Sequence, residues 1–230
     1  KRQLWRNAYK VYVYIIKLLK KDSIISSINT NNEIFYLPPS NKDFLAPNSK
    51  TLYFTGWLFR NPEGLNKYRK DILEYFKPTK EIGERIDEFL QPHKEKRLIG
   101  VHIRQGDYKV FKNGKYFIEQ SRVRDILNEY ISEYNINTDE SAFIITSDGA
   151  IEENHFQGLR YSVSNMGPVG DLFLLTRMSA VIGSDSSFGD FAAWYADTPH
   201  IVFQKDAMDW KYYRGKRGFF YNKYSTMTHY

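Results

Sequence analysis

Apolar residues recur at helical spacing over positions 4–20: Leu4, Ala8, Val11, Ile15, Leu18 and Leu19 share a stripe, with Arg6, Lys10, Lys17 and Lys20 around it. The spacing predicts an amphipathic helix with its stripe turned to a core. "EIFYL", closed by Pro38 and Pro39, reads as a strand, and 40–50 as a loop from its Ser, Asn, Pro and Asp content. "TLYFTGWLF", 51–59, reads as a second strand. Helices follow over 65–76 and 80–90, the second stopped by Pro92.

From residue 97 the pattern changes. "LIGVHI" is an unbroken apolar run, which marks a strand buried on both faces of a parallel sheet. "AFIITSD", "AVIGSD" and "HIVFQ" repeat the pattern, with helical spacing over 121–134, 170–178 and 186–195 between them. Strands alternating with helices predict an open, doubly wound, mostly parallel α/β sheet. Ligands of such sheets bind outside the carboxyl ends of the strands. His102, Arg104 and Asp107 stand at the first of these ends, Ser147 and Asp148 at the second, and Ser184, Asp185, Ser186 and Ser187 at the third.

Composition narrows the partners. Of the 230 residues 42% are hydrophobic and 26% charged, the balance of a folded chain. The 18 Tyr and 16 Phe serve as core filler and as platforms for sugar rings or bases. A formal charge of +6 and a pI near 9.2 favour an anionic partner without choosing it. Nucleic acid is not expected, because the cations are scattered; only 211–224, "KYYRGKRGFFYNKY", joins them with aromatics, and it is expected to cover the lobe or meet an acceptor glycan. With no cysteine, disulfides and thiolate chemistry are excluded. No apolar run nears the roughly 20 residues of a membrane span. A cytoplasmic protein with at most peripheral membrane contact is expected. The start at Lys1, without a signal-peptide pattern, leads us to expect missing residues before it.

Three segments carry candidate chemistry. Arg104, beside Gly106, offers a planar fork of donors to a phosphate, or pairs with Asp107 on the surface. The turn "GSDSSFG" feeds a helix, so its amides and the Ser186 and Ser187 hydroxyls face either an anion or simply their own helix as caps. Asp171, expected in a first helical turn, either complements the dipole or accepts hydrogen bonds from a base or ribose in the crevice.

Together these segments resemble the fucosyltransferase superfamily that includes the α1,2-fucosyltransferases. "HIRQGD" is similar to its H-x-R-R-x-D motif, and "TSD" to its F-S-D strand. "DLFLLTRMSAVIGSDSSFGDFAAW" is similar to its D-x-x-L-M-S…S-N-S-S-F-S-W-W-G-A-W stretch, with "LYFTGWLF" and "RKDILEYFKP" matching upstream. Order and spacing agree over 51–210. The resemblance implies a GT-B type fold of two facing Rossmann-like lobes, with 1–92 the remainder of an incomplete acceptor-side lobe and 93–230 the donor lobe.

It also implies an inverting, metal-independent and cofactor-free transfer of L-fucose from GDP-fucose to a glycan hydroxyl. By position, Arg104 would hold the β-phosphate as the main catalytic group, with Asp107 orienting it or acting as base. His102 would lie near the nucleotide, Asp171 would read guanine, and Ser186, Ser187 and Phe188 would border the diphosphate and sugar. Three departures bear on activity. Gln105 replaces the second arginine, "DSSFGDF" brings in Asp185 and Asp190, and a G-G-L-G-N-Q segment is lacking. They keep two alternatives open: transfer from another nucleotide sugar (a rhamnose, mannose or galactose donor), or a nucleotide- or carbohydrate-binding homologue without turnover.

Overall fold

The computed structural model describes residues 25–29, 35–36, 51–55, 59–94, 96–214 and 223–225, and helical positions at 7, 10–12, 14 and 15. Most of the helix expected over 4–20, the loop over 40–50 and part of "EIFYL" lie outside the described residues. Val11 and Ile15, expected on a core face, are exposed.

The chain divides into two compact units, Lys1–Phe76 and Lys77–Tyr230. In the first, β1 (Ile25–Asn29), β2 (Phe35–Tyr36), β3 (Thr51–Thr55) and β4 (Phe59–Arg60) form two parallel ladders, β1 with β3 and β2 with β4. The expected strand over 51–59 is thus two, with 56–58 outside the described residues. The helix expected over 65–76 begins earlier and breaks once, giving α1 (Pro62–Lys67) and α2 (Arg69–Tyr75) on either side of Tyr68. Its start is a local matter: Asn61 accepts the Gly64 N–H at 2.8 Å, and Pro62 fits a first turn whose N–H has no helical partner.

The second unit runs α3 (Lys80–Leu90), β5 (Arg97–Ile103), α4 (Gln120–Glu133), β6 (Ser141–Ser147), β7 (Tyr161–Val163), α5 (Gly167–Leu175), β8 (Ala180–Gly183), α6 (Ser187–Ala196), β9 (His200–Val202) and α7 (Trp210–Tyr213). Its five strands are all parallel, in the order β7-β6-β5-β8-β9. Side chains alternate across them, as the strand period of two requires. Ile99, Val101, Ile103, Phe143 and Ile145 meet Val123, Ile126 and Leu127 of α4 on one face. Ile144 meets Leu174 and Leu175 of α5 and Ile86 of α3 on the other. Gly100 makes the second face possible, since a Cβ there would stand 2.7 Å from Leu175 and 2.8 Å from Met178.

α3 therefore belongs to the second core, which moves the division of the chain forward from the expected 92/93 to 76/77. Three of these strands and helices were not expected: β1, whose I-S-S-I-N shows no alternation, and β7 and α7, both too short to show a period. α5 starts three residues before the expected 170, because Gly167 at φ +78° enters the helix and Pro168 suits its first turn.

The strand order fixes where a ligand can sit. From β5 the chain winds outward through β6 to β7, returns to β8 on the other side of β5, and ends at β9. The winding reverses between β5 and β8, so a crevice opens outside their carboxyl ends.

Candidate functional site

At that reversal lies a cleft of about 690 Å³ lined by His102, Arg104, Asp148, Asp171 and Phe188 among others. β5 and β8 approach closely there: a Cβ on Gly183 would meet the His102 carbonyl oxygen at 2.8 Å. The two strand ends are also stitched together. Ser184 N–H donates to the His102 carbonyl at 2.8 Å, and Arg104 N–H donates to Ser184 Oγ at 2.9 Å.

The Arg104 side chain is held from three directions. Its Nε and Nη2 donate to the two carboxylate oxygens of Asp107 at 2.8 and 2.9 Å. Its guanidinium carbon lies 4.8 Å from the centre of the Tyr108 ring, a cation–π contact. Asp148 Oδ2 stands 3.9 Å from Nε. A guanidinium has five N–H donors, so the fork with Asp107 leaves three for a ligand. The same fork holds the Asp107 carboxyl below the usual carboxylate range.

The turn after β5 is built on Asp148, whose Oδ1 accepts the N–H groups of Gln105 at 2.6 Å and Gly106 at 3.0 Å. Tyr108 links this turn to β8. It is buried, it donates to the Asp185 carbonyl, and burial pushes its pKa up to about 12, which keeps the hydroxyl a donor. Neither partnership was legible in the sequence, because Tyr108 and Asp185 stand 77 residues apart.

His102 is buried with its ring stacked on Phe188, centroids 4.6 Å apart and planes 24° from parallel. Its Nδ1 lies 3.4 Å from Thr146 Oγ1, and its buried Nε2 has no partner among the described residues. Burial lowers its pKa to about 4, so the ring is neutral near pH 7.

Asp171 also lines the cleft, but its helix begins earlier than expected and places it in the second turn, from where its carboxylate reaches back to accept the N–H of the N-cap residue Met166. Ser164 Oγ donates to its Oδ1, and burial pushes its pKa up against that hydrogen bond. Ser164 carried no signal in the sequence.

The serine turn differs from the expectation in detail. Ser186 is the N-cap of α6, accepting the Phe188 N–H at 3.2 Å, and its side chain is buried beneath the turn. Ser187 is exposed at the first helical position, and neither serine lines the cleft, whereas Phe188 does. The arrangement still turns the start of α6 toward the reversal point, where its amides and dipole favour an anion.

The three residues that depart from the family motifs, Gln105, Asp185 and Asp190, lie off the cleft wall. Gln105 is buried, its amide donating to the Ile118 carbonyl at 3.1 Å. Asp190 is buried 2.8 Å from His200 Nδ1 and accepts from Ser225 Oγ at 2.7 Å. Asp185 is buried and offers its carbonyl to Tyr108. Of 211–224, the described part covers the lobe: Tyr213 is buried, and Lys223 and Tyr224 hold Asp209 at 2.8 and 2.6 Å. No helix among the described residues is long and apolar enough to cross a membrane.

Comparison with solved structures places this architecture among fucosyltransferases of GT-B-like fold. POFUT1 in complex with GDP-fucose superposes with a TM-score of 0.52 at 12% identity, covering 68% of this chain and 54% of that one. The fucosyltransferase NodZ from Bradyrhizobium gives 0.49 at 18% identity, covering 70% and 56%. This chain thus spans about half the length of the solved structures it matches. No curated protein sequence matches. The profile of glycosyl transferase family 11 matches residues 20–212, taking in the arginine turn, the cleft wall and the serine-capped helix, and the chain belongs to that family.

Proposed function

We propose that this chain carries the donor-binding lobe of a glycosyltransferase that moves L-fucose from GDP-fucose to a glycan hydroxyl with inversion, in the manner of the α1,2-fucosyltransferases. The observation that carries the reading is Arg104, held by Asp107 and Tyr108 at the mouth of the β5–β8 reversal with three donors uncommitted. Family membership and the likeness of fold to POFUT1 in its GDP-fucose complex support it.

In this reading the acceptor hydroxyl attacks the anomeric carbon from the face opposite the nucleotide, and its proton passes to solvent water as the new C–O bond forms. As the bond to the β-phosphate breaks, negative charge gathers on the diphosphate. Arg104 and the amides at the start of α6 meet that charge, and donors aimed at developing charge count most in the transition state. The reaction needs no metal or other cofactor, because these donors take up the leaving-group charge. Asp171 accepts from the adjacent N–H groups of guanine, anchored by Ser164. Neutral His102, with Phe188 stacked on it, forms an apolar shelf beside the diphosphate. Asp107 acts chiefly by positioning Arg104; as a base it would first have to give up the guanidinium.

Thermal shift against GDP, UDP, dTDP and CMP tests the donor half. Selective stabilisation by GDP, abolished in Arg104→Ala, is expected. Indifference to all four nucleotides overturns the reading. Transfer assays with GDP-fucose and with other GDP sugars then separate a fucosyltransferase from a transferase of another sugar and from a binder without turnover.

A further inference from the structure

The turn that leaves Arg104 continues into a row of aromatic rings outside the cleft. Tyr108 and Phe111 lie with centroids 6.1 Å apart and planes 19° from parallel, and Phe111 and Tyr116 at 5.9 Å and 26°. The inner end is buried beneath Arg104, while Phe111 is 46% and Val110 79% exposed. Lysines edge the row: Lys112 Nζ lies 5.8 Å from both the Phe111 and Tyr116 rings, and Lys115 Nζ 5.4 Å from Tyr116. Between 109 and 117 the chain has three lysines and no acid.

The backbone that brings these rings together is costly to hold. Lys112, Asn113 and Gly114 stand at φ 47°, 57° and 71°, a left-handed run that residues other than glycine avoid. Lys205 Nζ secures it by donating to the Gly114 carbonyl at 2.8 Å. Rings serving only as core filler would not remain exposed at Phe111. A merely solvated basic loop has no need for ordered rings.

Resting on the donor reading above, we propose that this row is an acceptor subsite for a negatively charged oligosaccharide. The C–H faces of one or two sugar units lie on Phe111 and Tyr116, and Lys109, Lys112 and Lys115 meet their carboxylate, sulfate or phosphate groups. Continuity decides the occupant. The row begins at the side chain that grips the leaving group, so the molecule beside it is the one whose hydroxyl reaches the anomeric carbon.

Binding of the whole chain to four probes tests this: a hexagalacturonate, a sulfated heparin-type hexasaccharide, a neutral galactan hexasaccharide, and single-stranded DNA of equal charge. Each is measured for wild type, Phe111→Ala and the triple variant Lys109→Glu, Lys112→Glu, Lys115→Glu, with GDP binding followed in parallel. At least one acidic sugar is expected to bind tenfold or more tightly than the neutral one, to lose that advantage in the triple lysine variant, and to bind several-fold more weakly in Phe111→Ala, while GDP binding stays unchanged. Equal binding of charged and neutral sugars overturns the proposal, as does tighter binding of DNA or an unaltered response in Phe111→Ala. If GDP fails to bind wild type, the donor reading fails instead; if GDP binds and the acidic sugars do not, this inference alone fails.

Discussion

Arg104 owes its direction to side chains that are themselves fixed. Asp107 takes its edge and Tyr108 supports its face, while the Tyr108 hydroxyl ties both to the Asp185 carbonyl. Tyr108→Phe keeps the ring and deletes the tie, removing one buried hydrogen bond at a cost of about 1 kcal/mol. We expect a lower urea midpoint and GDP affinity reduced about three- to tenfold; an unchanged affinity would mean the tie does not position the arginine. His102 gives the site a pH dependence of definite sign. Its folded pKa of about 4 lies below the ordinary 6.5, so the unfolded chain binds the extra proton between these values. Stability therefore falls as pH drops from about 6.5 to about 4, by up to about 3 kcal/mol at 1.4 kcal/mol per unit. Asp148, Arg104 and His200 act on the same ring, and His93 shifts in the same direction, so the test is a difference. The pH slope of the urea midpoint should flatten in His102→Gln. Arg104 and His102 could be read from a strand end and Asp171 from a helix start, but Tyr108 and Ser164 could not. Their value comes from partners that only the folded chain brings near.

At the scale of elements, the apolar runs at 98–103 and 142–147 announced β5 and β6 because strands buried on both faces must be apolar throughout. β7 escaped notice, since three residues with a serine at the centre show neither a run nor an alternation. Asp171 was expected in the wrong turn because a glycine in the left-handed region, Gly167, moved the start of α5. Two glycines now make opposite predictions. Gly183 has backbone and Cβ of His102 within 3 Å of where its own Cβ would stand, so Gly183→Ala forces β5 and β8 apart. A loss of about 2 kcal/mol is expected in urea denaturation, with loss of GDP binding. Gly83 sits within α3 with nothing within 4 Å of its missing Cβ, so Gly83→Ala should stabilise by about 0.5–1 kcal/mol and leave GDP binding alone. If both substitutions behaved alike, close approach at the reversal point would not be what Gly183 provides.

At the scale of the molecule, the unit Lys77–Tyr230 has apolar clusters on both faces of its own sheet and contains the whole cleft. The fragment 77–230 should therefore melt cooperatively and bind GDP as the full chain does; a fragment without a cooperative melt would show that the first unit completes the core. The doubly wound order of this unit was legible in the alternation of apolar runs and helical spacing. The division at 76/77 was not, because α3 carries a stripe that marks it as packed without saying against which core. The stitch between Arg104 and Ser184 joins residues 80 positions apart, across three crossovers. Contacts of such long sequence separation form late in folding. A growing chain released from the ribosome to residue 150 would hold the arginine motif intact and still be blind to nucleotide; that sense arrives only when β8 slides in beside β5.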